Sequence, residues 1–367
     1  MKRNQIGKRK GWKTVMLSLL VILGFLILFF MFLRHIGKQQ LQKNAGNELP
    51  DLSATDEADR RTGPNWQEGW VEQDGQLYTY NKDILTFLFM GIDKDREVIR
   101  VAEGTDGGQA DALFLFVLNP HDKSLSVISI NRNTMTDIQI YDENGDYVAT
   151  ANAQIAIQHG FGDGMEESCE YQIRAVRNLL YQLPIHGYCA LHMDAVTDLT
   201  DLLGGIKLTA IEDVYSAKQD QTLGQLLMRE GDTVLLDGRL AYSYVRYRNE
   251  EAPGSADQRL ARQQQFLTAA LHTAKEEVKK DLTLPVQAYR LITSQMVTNI
   301  SVDEVAYLAG IIGDYSFQSD HFYSLPGDTV LGEEYEEFHV DDATLRRLIL
   351  ELFYEPVADE RDTEAAR

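Results

Sequence analysis

The sequence predicts an α/β domain tied to a membrane by one N-terminal helix. Three observations carry that reading: a charge-free apolar run at residues 15–33, three apolar runs joined by turn residues between 85 and 131, and a strand and helix alternation from residue 187 onward.

Val15 to Leu33 is 19 residues of almost only Leu, Ile, Val, Phe and Met, long enough to cross a bilayer as a helix. Lys2, Arg3, Lys8, Arg9, Lys10 and Lys13 precede it, while Arg34, Lys38 and Lys43 follow. The basic excess before the run places residues 1–14 in the cytoplasm and the rest of the chain outside. No small-residue cleavage site occurs between Arg34 and Lys38, so the run reads as an uncleaved anchor rather than a signal peptide. Residues 1–43 hold nine of the 35 basic residues and no acidic one, which leaves 26 basic against 56 acidic residues outside, a formal charge of −30. Such a balance excludes general nucleic-acid binding, and it makes any local group of arginines more telling, because the background field repels anions.

Residues 34–83 read as an extracytoplasmic stalk without periodicity that ends in a short hairpin, introduced by Trp66 and Trp70 and turning at Gln73 to Gln76. The main domain spans 84–357, and an acidic tail occupies 358–367. Its first strands are Leu85 to Gly91, Ala112 to Leu118 and Leu125 to Asn131, the last two joined by a turn from Asn119 to Lys123. Helices are predicted over 151–159 and 166–182, with the glycines of 160–164 as a flexible turn between them. His159 reads as a packing or capping residue. Strand 187–193, helix 194–203, a stop at Gly204 and Gly205, and strand 206–211 continue the alternation. Helices follow near 236–244, 257–279, 284–297, 302–313 and 342–353, with a short strand near 321–325. Cys169 and Cys189 fall at similar heights on a predicted helix and a returning strand, so a disulfide is geometrically allowed and two buried thiols fit equally well. No Gly-x-Ser-x-Gly, Walker loop or paired-histidine zinc motif occurs.

Chemistry concentrates at two places. If the first three strands run up, down and up, Asp93, Asp111 and Arg132 meet at one end of the sheet, where two carboxylates and a guanidinium suit a divalent cation with a phosphate. Further on, Arg246, Arg248, Arg259 and Arg262 fall within eighteen residues. The first two, two apart, share one face only if the chain is extended there. Arg259, Arg262 and Gln263 share one helical face, on a helix whose start is signalled by Ser255 three residues before Gln258. Arginines near a helix N-terminus oppose its dipole unless an anion satisfies both, so the implied ligand is phosphate-like. The competing reading is solvated pairing of these arginines with surface carboxylates.

Six stretches in this order resemble the LytR-CpsA-Psr family of membrane-anchored envelope proteins of mainly Gram-positive bacteria. They are residues 87–93 (FLFMGID), 110–114 (ADALF), 129–134 (SINRNT), 201–206 (DLLGGI), 236–248 (LDGRLAYSYVRYR) and 257–264 (DQRLARQQ), with 297–301 (VTNIS) matching the C-terminal signature. The resemblance implies an α/β fold with a central mixed sheet flanked by helices, an apolar cleft for a polyprenyl chain and an arginine-rich mouth for its pyrophosphate. It implies a phosphotransferase that moves a polyprenyl-pyrophosphate-linked glycopolymer, of teichoic acid or capsular type, onto peptidoglycan through a phosphodiester, with pyrophosphatase action as a side reaction. Carried over by position, Asp93 and Asp111 bind Mg²⁺, and Arg132, Arg246, Arg248, Arg259, Arg262 and Gln263 engage the phosphates. The chain departs from the family pattern at Gln109, Asn131 and Asn133, which stand where the family often has Arg, Pro and Asp, so the general base is not identified. The alternative is a non-catalytic polyprenyl-phosphate-binding or regulatory envelope protein of the transcriptional attenuator type.

Overall fold

The computed structural model describes residues 39–44, 49–52, 67, 69–93, 107–142, 144–216, 224–248, 255–333 and 335–357. The predicted cytoplasmic tail, membrane span, Trp66 and acidic tail lie outside them. Among the described residues no helix is long and apolar enough to cross a membrane.

A six-stranded mixed sheet forms the centre. Its strands are β1 (Leu85–Ile92), β2 (Ala110–Asn119), β3 (Ser124–Ile130), β4 (Gly187–His192), β5 (Met296–Thr298) and β6 (Phe322–Ser324), in the spatial order β5, β4, β1, β2, β3, β6. β1, β2 and β3 are antiparallel neighbours, as the up, down and up reading requires, whereas β4 runs parallel to β1 and β6 parallel to β3. Side chains alternate between the two faces except at a bulge between Gly91 and Ile92, opposite Ala110 to Ala112, and both faces are apolar. Leu88, Met90, Leu113, Leu115 and Ile128 enter one core, while Phe87, Phe114, Phe116 and Val127 enter the other.

Helices cover both faces. On the first lie α1 (Glu166–Leu179), through Cys169, Ala175 and Val176, and α7 (Asp342–Phe353), through Leu345, Ile349 and Phe353. On the second lie α4 (Ser255–Lys280), through Leu267 and Leu271, and α6 (Val302–Ile312), through Val305 and Leu308. Between these in sequence come α2 (Asp194–Leu202), α3 (Gly238–Arg246) and α5 (Leu284–Ile292).

Several expectations change. Residues 151–154 are not helical: Tyr147–Gln154 pairs antiparallel with Met135–Tyr141, and only then does a 3-10 helix, Ile155–Phe161, begin. The alanines there favour a helix locally, but the partner strand decides. The glycine turn after it is packed, since a Cβ on Gly162 would lie 2.5 Å from the Ser168 backbone nitrogen. His159 is buried beside it with Nδ1 3.0 Å from the Gly108 carbonyl, in keeping with a packing role. The helix expected to reach 297 stops at Ile292, because Met296–Thr298 adds β5 to the edge of β4. In the 297–301 signature, Asn299 Oδ1 accepts the Tyr188 amide at 2.8 Å and Ser301 makes a capping box with Glu304.

The stalk reading also yields where it can be seen. Leu41 and Leu52 are buried in the two cores, and Asn44 Nδ2 donates to Glu304 Oε1 at 3.1 Å, so these residues belong to the domain. The hairpin Trp70–Gln73 and Gln76–Tyr80 turns as predicted, with Asp74 and Gly75 both at positive φ. It is integrated too, since its second strand pairs with Tyr354–Pro356. Cys169 and Cys189 are free, buried thiols, and burial pushes Cys189 up to about 12 and Cys169 higher.

Candidate active site

The sheet delivers its chemistry at the end where β1 and β3 stop and β2 starts. Asp93 follows β1, with its amide donating to the Gln109 carbonyl at 3.1 Å, and Asp111 is the second residue of β2. Arg132 leaves β3 in a tight turn in which Asn131 Oδ1 accepts the Asn133 amide at 2.9 Å. Arg132 Nη1 lies 2.6 Å from Asp111 Oδ1, and Arg259 Nη1 reaches Asp111 Oδ2 at 3.1 Å. Gln109, standing where the family often has an arginine, accepts from Arg132 Nη2. The 2.6 Å contact is an ion pair, and Asp111 Oδ1 and Arg132 Nε are both buried polar atoms that make no hydrogen bond among the described residues. A buried polar group in that state is costly unless something else completes it.

The second set comes from the corner between α3 and α4. Asp237 caps α3 by accepting the Leu240 amide at 2.8 Å, and Gly238 is required there because a Cβ would lie 2.4 Å from the Thr197 carbonyl of α2. Arg246 is the last residue of α3 rather than part of an extended exit; the chain straightens one residue later, at Tyr247 (φ −50°, ψ 134°). Arg246 Nη2 lies 3.2 Å from Asp93 Oδ1, with its guanidinium 5.5 Å from the Tyr242 ring centroid. Arg248 Nε donates to Ser255 Oγ at 3.0 Å, which ties it to the first residue of α4. The result is one array across the sheet end, from Arg246 at Asp93 to Arg259 and Arg132 at Asp111, with Arg248 tied to Ser255 and close enough to Arg259 to act on its charge. Burial lowers the Arg259 pKa; Asp111 opposes that shift, Arg132 and Arg248 add to it, and the group remains a cation.

Arg262 and Gln263 are not in the array. Arg262 is 1% exposed, with Nε donating to the Tyr244 carbonyl at 2.9 Å and its terminal nitrogens engaged by Glu212 and the Tyr247 carbonyl. Gln263 Nε2 donates to the Val245 carbonyl at 3.3 Å. The expected phosphate contacts of these two residues therefore give way to a different observed placement, clamping residues 244–247. Tyr242 and Glu212 join the site from the structure; Tyr242 is one helical turn before Arg246, the spacing that signals a neighbour, whereas nothing local in the sequence marks Glu212.

A family model matches residues 51–349, most of the chain and all of this site. The protein belongs to the LytR_cpsA_psr family. Among curated relatives, a polyisoprenyl-teichoic acid–peptidoglycan teichoic acid transferase TagU of Halalkalibacterium halodurans is 25% identical over 259 residues, 71% of this chain and 72% of its own. Among solved structures, protein gbs0355 of Streptococcus agalactiae aligns with a TM-score of 0.57 at 18% identity, covering 73% of this chain and 87% of that one. TagV of Bacillus subtilis aligns with a TM-score of 0.54 at 23% identity, over 73% of this chain and 96% of that one. The central mixed sheet flanked by helices is thus the fold of LytR_cpsA_psr proteins.

Proposed function

We infer that this protein is a membrane-anchored phosphotransferase that moves a polyprenyl-pyrophosphate-linked glycopolymer, of teichoic acid or capsular type, onto peptidoglycan. The observation that carries this reading is the arginine and aspartate array at the sheet end; the apolar cluster between the sheet and α4, in which Phe89, Leu267 and Leu271 are only half-buried, lies on the second core face of the same molecule. A ligand with a long apolar chain and two phosphates matches both parts. The relatives' name as teichoic acid transferases supports it.

In this reading Arg132, Arg246, Arg248 and Arg259 receive the pyrophosphate. The acceptor hydroxyl attacks the phosphorus next to the glycan, a phosphodiester forms, and the bond to polyprenyl phosphate breaks. Guanidinium groups held in place before the reaction stabilise the charge that builds on the phosphate oxygens. Arg262 and Gln263 act one step back, fixing the corner that aims Arg246 and Arg248. Water in place of the hydroxyl gives pyrophosphatase action at the same site.

Asp93 and Asp111 are the residues that would hold Mg²⁺, which would neutralise charge on the phosphates when bound. Two carboxylates, one with an oxygen lacking a hydrogen bond, fit an ion that takes its remaining ligands from phosphate and water. Among the described residues no group of three or more His, Cys, Asp or Glu is placed to hold a metal ion. The run at 15–33 and its basic flank support a single span, with residues 1–14 cytoplasmic and the domain outside.

The test incubates full-length protein in vesicles with a lipid-linked glycan, with and without Mg²⁺ and peptidoglycan. Mass spectrometry should show polyprenyl phosphate and a glycan-phosphate-peptidoglycan product that require Mg²⁺ and disappear in Asp93→Ala. Lipid binding without release in every condition would reject the transferase reading, and full activity in Asp93→Ala would reject the metal assignment.

A further inference from the structure

Beside the array lies a cavity of about 390 Å³ that the reaction described above leaves without a role. It opens between α4, the ends of β3 and β6, and the hairpin strands Gly327–Leu331 and Glu336–Val340. That volume falls in the range of small-molecule sites. Its position is set by topology: β3 and β6 are last in the sheet order, so the cavity flanks the array on the side opposite Arg246 and Asp93.

The lining is unlike that of the array. Its polar residues include Ser129, Asn131, Asp257, Gln264, Ser324 and Thr329, with Leu325 and Phe338 as apolar wall, and no lysine or arginine takes part. Asp257 Oδ1 accepts from Asn131 Nδ2 at 2.9 Å, and its Oδ2 accepts from Thr329 Oγ1 at 3.1 Å. Gln264 Nε2 donates to Ser129 Oγ at 3.1 Å and to Ser324 Oγ at 2.9 Å. Each serine hydroxyl that accepts one of these bonds keeps a hydrogen to donate, and the carboxylate keeps free lone pairs.

The lining disfavours an anion, because Asp257 and Asp328 both face the space and no lysine or arginine is among the lining residues. A purely apolar ligand is excluded by the desolvation of so many polar groups. What remains is a neutral ligand dense in hydroxyl donors and acceptors, with an apolar ring face to lie on Leu325 and Phe338. We propose that this cavity is a subsite for a neutral sugar ring, held next to the phosphate-binding array. The proposal rests on the transferase reading for the source of the sugar, either the acceptor glycan or the first sugar of the lipid-linked donor. It does not rest on that reading for the chemistry. Asn131 links the two regions directly, since it binds Asp257 in the cavity and precedes Arg132 in the array.

The test is binding, measured by saturation-transfer NMR and titration with full-length protein in nanodiscs and a soluble tetramer of β-1,4-linked N-acetylhexosamine. Wild type should bind the tetramer. Ala261→Trp, which fills the cavity from α4, should weaken binding at least about tenfold, a loss worth 1.4 kcal/mol. Thr329→Val, on an exposed strand where folding is not at risk, should weaken it several-fold, with polyprenyl phosphate binding unchanged in both. Displacement of the tetramer by a lipid-linked disaccharide but not by sugar-free polyprenyl pyrophosphate would assign the cavity to the donor's sugar; retention with both would assign it to the acceptor. No binding to wild type, or equal binding to wild type and both variants, would overturn the proposal. Sugar binding that persists without any transfer product would instead overturn the transferase reading and leave the sugar site standing.

Discussion

Arg246 and Arg262 sit sixteen residues apart in the same arginine-rich stretch, and the structure gives them opposite surroundings. Arg246 is 37% exposed at the side chain, facing Asp93 at the open end of the sheet. Arg262 is 1% exposed, with three nitrogens spent on Tyr244, Tyr247 and Glu212 and its guanidinium 5.1 Å from the Tyr247 ring centroid. One cation is available to a ligand, and the other holds the backbone that presents it. A guanidinium suits both tasks for the same reason, a planar fork of donors, so residue type alone does not separate ligand from scaffold. Burial and carbonyl partners do.

The comparison breaks most sharply at Arg262. Arg262→Ala leaves Glu212 and two carbonyls without their donor, and should destabilise the domain by about 3–5 kcal/mol. Arg262→Lys should recover little, because one ammonium cannot reach all three acceptors. Urea denaturation checks this, and a loss below about 1 kcal/mol would show that Arg262 is not a structural tie.

The sequence made the array legible and the tie illegible for one physical reason. Asp93 and Arg132 follow the ends of β1 and β3 and Asp111 stands at the start of β2, so their meeting could be read from strand direction alone. Arg259 and Arg262 lie on nearby parts of one helical face, but which of them meets a carboxylate of the sheet and which meets the carbonyls of α3 depends on how α4 lies across the molecule. The same limit hid the Met135–Tyr141 and Tyr147–Gln154 hairpin, whose alanines suggest a helix until the partner strand is known, and β5, three residues fixed by pairing with β4. It also hid the cavity, assembled from residues 129, 257, 324 and 329 that no local pattern joins.

A scaffold and an array that differ in burial should differ in their response to acid. The arginines do not titrate, whereas His186, 4% exposed, is held neutral by burial, with its pKa lowered from 6.5 to about 4. Its Nδ1 accepts the Thr86 amide of β1 at 3.1 Å and its own amide donates back to the Thr86 carbonyl at 2.9 Å. The folded pKa lies below the unfolded one, so the unfolded chain takes up the proton first. The stability is complete above pH 6.5 and is lost as pH falls toward 4, roughly 3 kcal/mol in all. Denaturation at pH 7 and pH 4.5 should show a steeper loss for wild type than for His186→Gln. Equal slopes would place the acid sensitivity elsewhere.

On the ligand side the effect should reverse. Arg246→Ala removes a partly exposed cation, so stability should change by less than about 1 kcal/mol. Transfer, in contrast, should fall about 100-fold, near 2.7 kcal/mol of lost transition-state stabilisation. A variant that melts early instead, with its remaining folded fraction fully active, would make Arg246 a second structural tie and erase the contrast with Arg262.

The finest test concerns Arg248, which stands between the two extremes. It is half-buried, and Ser255 Oγ holds its Nε at 3.0 Å, so α4 aims it without enclosing it. Ser255→Ala removes one hydrogen bond to a cation that can still reach water, which should cost about 1 kcal/mol in donor affinity, a KM about fivefold higher, with little change in kcat. Ser255→Thr keeps the hydroxyl and should restore the affinity. If Ser255→Ala lowers Tm while KM holds, Ser255 serves the start of α4 rather than Arg248, and Arg248 then belongs with the exposed arginines that the ligand alone must order.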